Sequence, residues 1–363
     1  MDRIITHVNL GERSYDIVLT DTFTGLGSAV AALGRFSNVA IITDSTVGPT
    51  YAPMVQAELS TVGVLAEIIT FPAGESSKNF ETTMELHSEL IRMKIDRKGL
   101  IVALGGGVCG DMAGFVAATY MRGIPFIQIP TTMLSLVDSS VGGKTGINHP
   151  LGKNMIGSFH QPSLVWGNLA TLRSLPIEEL SSGLAEVVKH GVIRDSAYFA
   201  MVEKSAARLM ALEFTALADA VAGSCRIKAA VVGADEREGG LRAILNFGHT
   251  AAHAFESLTD YIGYRHGAAV AIGMMVACRL AERMTGFPSA DTARVERLLL
   301  SLGLPTRFRN LATDDIVQSM FGDKKTERGT LRYVLPSAIG AADIVPVTDL
   351  SALRNAIDAT RES

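Results

Sequence analysis

Cysteine is scarce in this chain of 363 residues, and its three examples, Cys109, Cys225 and Cys278, lie far apart in apolar or helical surroundings. No two have the spacing of a zinc ribbon or a disulfide framework, so neither is expected and a reducing cytoplasm fits best. An excess of positive charge is missing as well. The net charge of −4 and the pI near 6.1 exclude the broad basic field of a non-specific nucleic-acid binder, leaving room only for a local cationic pocket. Long apolar runs are also lacking. The longest, Gly267 to Cys278, stops at Arg279, short of the roughly 20 residues a bilayer span requires, and reads as a buried helix rather than a membrane segment. The opening MDRIITHVNL has an acid at its second position and strand-like alternation, which is not the pattern of a signal peptide. Internal repeats and low-complexity tracts are absent.

What is present describes a globular enzyme: 47% hydrophobic and 19% charged residues, on a chain long enough for two cores. The first half alternates β-rich runs at 14–19, 39–43, 65–70, 100–104 and 125–129 with helical patterns, as a parallel sheet with crossover helices does. From Pro176 the period changes. Apolar residues recur at helical spacing through 178–191, 198–212, 215–232, 248–258, 267–285 and 291–302, and β-branched runs become rare. The expected architecture is an α/β, Rossmann-like N-terminal domain over 1–175 and an all-α C-terminal domain over 176–363, with the cleft between them as the natural site.

Leu100 to Leu104 read as a buried strand that runs into Gly105-Gly106-Gly107 and, after Gly110, a helical pattern from Asp111. Strand, glycine turn and helix start together aim backbone N–H groups and the positive end of a helix dipole at one spot, where a pyrophosphate fits. The GxGxxG spacing is weak alone, because Gln128 and Pro130 occupy the region where the usual fingerprint wants an acid. A tight packing turn would look the same. Two other strand ends add weight: Asp44 after Ala40 to Thr43, and Glu75 with Lys78 after Pro72-Ala73-Gly74. Carboxylates there suit ribose hydroxyls and a lysine suits phosphate, while Thr131 and Thr132 add hydroxyl donors.

The run VDSSVGGKTGIN at 137–148, followed by GKN at 152–154, combines Asp138, a glycine pair and the cations Lys144 and Lys153. It is not a Walker A loop, since Asp138 stands where that motif needs a glycine. It reads as a substrate loop for an anionic, hydroxylated ligand such as a sugar phosphate. Lysine usage supports this, with 10 Lys beside 23 Arg, seven of the lysines falling in the segments singled out for other reasons. Any one of them alone reads first as a solvated surface charge; their clustering argues for selection of a compact point charge.

In SGLAEVVKHG (182–191), Glu186 and Lys189 share a helix face; in LNFGHTAAHAFE (245–256), His249 and His253 do the same, and His266 opens HGAAVAIGM. A carboxylate with two histidines is a catalytic zinc set that leaves a position for substrate. Spacing alone nominates His249 and His253 as the pair, although each histidine singly reads as a core or helix-surface residue.

Taken in order, PAGESSK, GGGVCGDMAGF, MRG, PTT, VDSSVGGKTGIN, GKN, AEVVKHG, LNFGHT, RHG and GDKK resemble the 3-dehydroquinate synthases, within the sugar phosphate cyclases, over nearly the whole chain. The resemblance implies an NAD-binding domain, a helical metal-binding domain and a cytoplasmic homodimer. By position it implies Glu186, His249 and His266 as ligands of zinc or cobalt, overruling the spacing argument, and His253 as an active-site histidine near the transferred proton or phosphate. It implies Asp138, Lys144, Lys153, Asn154, Lys189, Lys228, Arg242, Asn246 and Lys324 (or Lys325) as substrate contacts, and Arg122 as an arginine lent to the neighbouring subunit. The NAD contacts it implies are Asp44, Glu75, Lys78, Gly105, Gly106, Gly107, Asp111, Thr131 and Thr132, with Lys144 and Lys153 alongside.

The implied reaction converts 3-deoxy-D-arabino-heptulosonate 7-phosphate to 3-dehydroquinate plus phosphate, through transient oxidation by NAD, phosphate elimination, re-reduction and intramolecular aldol closure, a carbon–oxygen lyase step of aromatic amino acid biosynthesis. Rival readings are a 2-deoxy-scyllo-inosose or epi-valiolone synthase, a polyol dehydrogenase, and a catalytically silent binding protein. Lys228, Arg242 and Asn246 suit a substrate carboxylate, which the sugar substrates of the rival cyclases lack. One departure is visible. Ala268 stands where the family has a glutamate, and the expectation is weaker support around the metal, which comparison of zinc affinity in the parent and Ala268→Glu tests.

Overall fold

The computed structural model describes residues 3–260, 262–322, 326–327 and 330–362. It contains two compact units, Met1–Leu175 with Lys228–Arg237, and Pro176–Ile227 with Glu238–Ser363. The strands are β1 (Ile4–Val8), β2 (Tyr15–Thr20), β3 (Val39–Asp44), β4 (Ala66–Phe71), β5 (Leu100–Gly105), β6 (Phe126–Pro130), β7 (Lys144–His149), β8 (Gly152–Phe159), β9 (Leu164–Asn168), β10 (Thr326–Glu327), β11 (Thr330–Ala338) and β12 (Ala341–Val347). The helices are α1 (Leu26–Leu33), α2 (Gly48–Ser60), α3 (Phe80–Arg92), α4 (Gly107–Thr119), α5 (Ile177–Arg194), α6 (Ser196–Met210), α7 (Phe214–Ala234), α8 (His249–Leu258), α9 (His266–Met284), α10 (Ser289–Ser301), α11 (Thr313–Gly322) and α12 (Leu350–Ala359).

The first unit is built on a sheet of order β1-β2-β9-β6-β5-β3-β4, antiparallel between β1 and β2 and parallel elsewhere. Its central strands β5, β6 and β9 are buried along their whole length, as both-faced burial by crossover helices demands. Alternation divides them cleanly. Ala40, Ile42, Ile101 and Ala103 pack with Met112, Ala113 and Val116 of α4. Val39, Ile41, Leu100, Val102 and Leu104 pack with Leu26, Val30, Val55 and Leu59 of α1 and α2 on the opposite face. The segment Lys228–Arg237 is tied to this unit by Glu236, which accepts from Arg13 at 2.6 Å and from Gln161 at 3.0 Å. The five expected strands fall within a residue of the observed ones. The hairpin β7–β8 and strand β9 were not expected.

The second unit is helical, as expected, with one addition: a small antiparallel sheet, β10-β11-β12. Its strands escape a search for apolar runs because β12 alternates exposed and half-buried residues until Val347, and Pro336 interrupts β11 at an irregular register. Among the described residues no helix is long and apolar enough to cross a membrane. Helix α9 is buried over most of its length, which agrees with the reading of its apolar run as core.

The crossing of α8 on α9 positions the chemistry, and it depends on two glycines. Gly248 precedes α8 with φ of 80°, a left-handed conformation that ends the preceding turn and puts His249 at the first helical position. Gly273, on α9, lies so close that a Cβ there would overlap the carbonyl oxygen of Gly248. Gly273→Ala must therefore push the helices apart, at a cost of about 1–3 kcal/mol. It should appear as a lower thermal midpoint of the metal-free protein; an unchanged midpoint contradicts the close-approach argument.

Candidate active site

The parallel register brings strand ends to one edge. Asp44 lies level with Phe71, Thr43 with Leu104, and Gly105 with Pro130, so the carboxyl ends of β3, β4, β5 and β6 align. This is the edge where open α/β sheets bind ligands. Asp44 accepts from the backbone N–H groups of Thr46 and Val47 at 2.8 and 2.9 Å through Oδ1. Its Oδ2 lies 3.3 Å from where a Cβ on Gly105 would stand, and a Cβ on Gly107 would lie 3.2 Å from Ser139 Oγ. The glycines thus keep a narrow cradle clear at the start of α4. The buried hydroxyls of Thr131 and Ser139 have no hydrogen-bond partner among the described residues. Buried hydroxyls left this way beside a helix N-terminus are what a polyhydroxylated, anionic ligand would satisfy. The residues fit a dinucleotide. Thr132, by contrast, spends its hydroxyl on Ser135, 2.9 Å away, in the turn that leads to Asp138.

Lys78 is buried and donates to Asp111 Oδ2 at 2.5 Å and to Asn154 Oδ1 at 2.6 Å. Asn154 has φ of 53° and is held further by its backbone N–H on Asn148 Oδ1 at 2.9 Å; Asn148 in turn donates to Glu75 at 2.7 Å. A non-glycine residue in that conformation is a strained position held by its surroundings. Burial pushes the Asp111 carboxyl up, and the Lys78 ammonium holds back part of that rise. Lys228, also buried, donates to the Asp138 carbonyl at 2.5 Å and to its Oδ1 at 2.7 Å. Asp138 itself sits in a single π-helical turn, Ser135–Ser139, a distortion common at functional sites. Lys144 is exposed and Lys153 half-buried at the two ends of the β7–β8 hairpin.

In the second unit, α5 is buried on all sides from Leu180 to Ile193, so Glu186 is 0% exposed and Lys189 1%. Their side chains form an ion pair one turn apart. The Nε2 atoms of His249 and His266 each lie 3.6 Å from Glu186 Oε1, and the donor atoms of the three residues lie within 4.8 Å of one another. The other nitrogen of each ring is engaged: His249 Nδ1 donates to the Phe247 carbonyl at 3.2 Å, and His266 Nδ1 meets Glu256 Oε1 at 3.2 Å. Burial and the neighbouring Lys189 ammonium hold His249 well below the usual histidine range. Burial also opposes charge on His266, but its hydrogen bonds to Glu186 and Glu256 prevail and raise it to about 10. One carboxylate and two imidazoles converging on a buried spot fit a divalent cation.

His253 lies outside that cluster. Its ring stands edge-on to His249 with centroids 5.8 Å apart. His190, in the same motif as Glu186, is tied into the core through Ser224 at 3.0 Å, and Ser224 reaches Tyr198 at 2.9 Å. Arg242 is buried and Asn246 donates to Glu238 at 2.9 Å, both within the turn Leu241–Asn246. Arg122 is exposed. Lys324 and Lys325 lie outside the described residues. The surface reading of single lysines fails at Lys78, Lys189 and Lys228, whose buried ammoniums each meet a carboxylate, since only a paired charge survives burial. Glu256 and Glu238 were missed in the sequence. Glu256 carried a signal, two turns after His249 on the same helix face.

Two family models match the chain: 3-dehydroquinate synthase N-terminal over residues 68–182 and 3-dehydroquinate synthase C-terminal over 183–326. The 3-dehydroquinate synthase of Desulforamulus reducens is 49% identical over 339 residues, covering 93% of this chain and 94% of the relative. Among solved structures, a 2-deoxy-scyllo-inosose synthase complexed with carbaglucose-6-phosphate, NAD+ and Co2+ superposes with a TM-score of 0.88 at 25% identity, covering 98% of this chain and 100% of that one. The 2-epi-5-epi-valiolone synthase from Streptomyces hygroscopicus with NAD+ and Zn2+ bound gives 0.87 at 27%, covering 97% and 98%.

The donor cluster makes a prediction of its own. Removing a ligand's charge should weaken a divalent ion by more than the about 10–100-fold typical of an outer-shell partner. Glu186→Gln should therefore lose zinc on dialysis while the parent retains it, as read by metal analysis of the protein fraction; equal retention contradicts the cluster as a metal site.

Proposed function

The chain belongs to the 3-dehydroquinate synthase family, and from that premise we propose that it converts 3-deoxy-D-arabino-heptulosonate 7-phosphate to 3-dehydroquinate and inorganic phosphate. The observation that carries the reading is the convergence of Glu186, His249 and His266 beside the buried Lys189. The first unit acts as the NAD-binding domain, and the second, from about residue 176, as the metal- and substrate-binding domain. The enzyme works in the cytoplasm, in keeping with three buried free cysteines. Another cyclase is the alternative, but those relatives are 25–27% identical against 49% for the 3-dehydroquinate synthase. Buried Lys228 and Arg242 also suit a substrate carboxylate, which a hexose phosphate does not offer.

When bound, NAD supplies a hydride acceptor that is regenerated within each turnover, and zinc or cobalt held by Glu186, His249 and His266 supplies charge that eases deprotonation of a substrate hydroxyl. Gly105, Gly106 and Gly107 leave the backbone free to approach the pyrophosphate, while Asp44, Glu75, Lys78, Asp111 and Thr131 hold the rest of the dinucleotide and Thr132 shapes the turn beside it through Ser135. Lys144, Lys153 and Asn154 take the phosphoryl oxygens, and Asp138 accepts from substrate hydroxyls. Lys228, Arg242 and Asn246 hold the carboxylate, with Lys324 or Lys325 completing the set. Lys189 offsets negative charge beside the ligand carboxylate, and His253 stands by the proton that moves as phosphate departs. Loss of that proton would expel phosphate by breaking its C–O bond to carbon, and, once the neighbouring carbonyl is reduced again, the hemiketal ring would open and reclose by aldol addition. Orientation and charge stabilisation are thus the chain's main contribution.

We read the active form as a homodimer. Phe80, Met84 and Ile91 form one exposed apolar stripe along α3. Nearby in sequence to exposed Met121, Arg122 stands on a strained turn in which both residues have positive φ, 49° and 71°. Strain of this kind is retained where a side chain must be presented, here to the partner's site.

Phosphate should be released from the heptulosonate phosphate with catalytic NAD, without lasting NADH absorbance, and a chelator should stop it. Stoichiometric NADH from a plain polyol, with no phosphate release, would contradict the reading. Lys153→Ala should lower kcat/KM by about 100-fold or more with an unchanged thermal midpoint; an unaltered kcat/KM would make Lys153 a surface cation. Mixing inactive Arg122→Ala with inactive Lys153→Ala should restore activity through mixed dimers, and a mixture that stays inactive argues against a shared arginine.

A further inference from the structure

Glu256 is a second carboxylate that the second unit buries, at 6% exposure, near the end of α8. Nothing in the reaction as described uses it. It lies two helical turns beyond His249 on one face of α8, and its Oε1 meets Nδ1 of His266, the first residue of α9, at 3.2 Å. With that edge of the imidazole fixed, the opposite nitrogen, Nε2, faces Glu186 Oε1 at 3.6 Å. His249 is held in the same manner by the Phe247 carbonyl. The two rings therefore present the same nitrogen to the cluster, one fixed by backbone and the other by a side chain. His266 needs the side chain because it begins its helix and keeps 32% of its side chain exposed, so packing alone does not orient the ring. Burying a carboxylate is costly unless it gains a partner, and an outer carboxylate that orients a ligand histidine is a recurrent arrangement around metals.

We propose that Glu256 is a positioning residue that fixes the His266 ring for metal ligation. It also bears on Ala268. That residue lines a pocket of about 310 Å³ with Ser182, Met210, Tyr264 and Leu304, while the free edge of His266 is already served by Glu256. On this proposal the expectation from the sequence reverses: with the Nδ1 edge of His266 already met by Glu256, Ala268→Glu should leave zinc affinity unchanged.

The inference rests on Glu186, His249 and His266 being the metal centre, and the full-length parent protein separates the two. If that centre is wrong, the parent itself fails to bind zinc stoichiometrically. If only the role of Glu256 is wrong, the parent binds zinc and Glu256→Gln binds it equally well. The experiment measures zinc dissociation constants by chelator competition, the visible absorption of the cobalt-loaded protein, and the thermal midpoint of the metal-free protein. Glu256→Gln should weaken zinc by about 10–100-fold and shift the cobalt bands, with the metal-free midpoint close to the parent's. Unchanged affinity and bands overturn the proposal, as does a fall in the metal-free midpoint with the bands unmoved, which marks a structural role. Should Glu256→Gln fail to fold, Glu256→Asp is read against the same criteria, since its shorter carboxylate keeps the charge but not the reach.

Discussion

A carboxylate that water cannot reach, Glu186, is the constraint on which the second unit depends. Helix α5 is buried around its whole circumference at this point, so the charge cannot be solvated and must be compensated by what packs against it. An isolated buried carboxylate would neutralise rather than persist. Lys189, one turn away, supplies one cation, and the two imidazoles, from the first residues of α8 and α9, supply nitrogen donors on the other oxygen. The glycines at 248 and 273 let those helices approach closely enough for both rings to arrive. A buried ion pair adds little net stability compared with apolar packing, so this arrangement is better explained by ligand binding than by folding.

The first unit follows the same physical rule with different groups. Lys78 and Lys228 are buried against Asp111 and Asp138, so the cations are already aimed and partly neutralised before any anion arrives. An anionic ligand would exchange one partner for another within a fixed frame, which favours orientation over capture. Around them the parallel sheet does the positioning. Its register aligns four strand ends, and the glycine turn at the start of α4 keeps side chains out of the space they border.

The parts of this arrangement legible in the sequence were those governed by local pattern. Buried parallel strands read as apolar runs, and the glycine turn between β5 and α4 has its own spacing. Strands β7 and β8 escaped because β8 is mostly exposed and carries no apolar alternation, and β9 because Leu164–Asn168 contains a glycine and ends on an asparagine, both poor strand formers. At the site, residue types were visible but their pairings were not. That Lys228 meets Asp138, 90 positions away, or that Asn246 meets Glu238, is a product of tertiary packing with no local signature. Helical spacing favoured His253 beside His249, whereas the cluster takes its third donor from the start of the next helix. A four-residue spacing reports one helix face and is blind to what another helix brings.

The central claim is that the charge buried at Glu186 is balanced by a divalent metal held by one carboxylate and two imidazoles. X-ray absorption at the zinc edge of the zinc-loaded, full-length protein tests this most directly. The account predicts a shell of oxygen and nitrogen donors at about 2.0–2.2 Å with the outer-shell scattering of two imidazoles and no sulfur. A sulfur shell, or scattering from a single imidazole or none, would contradict it.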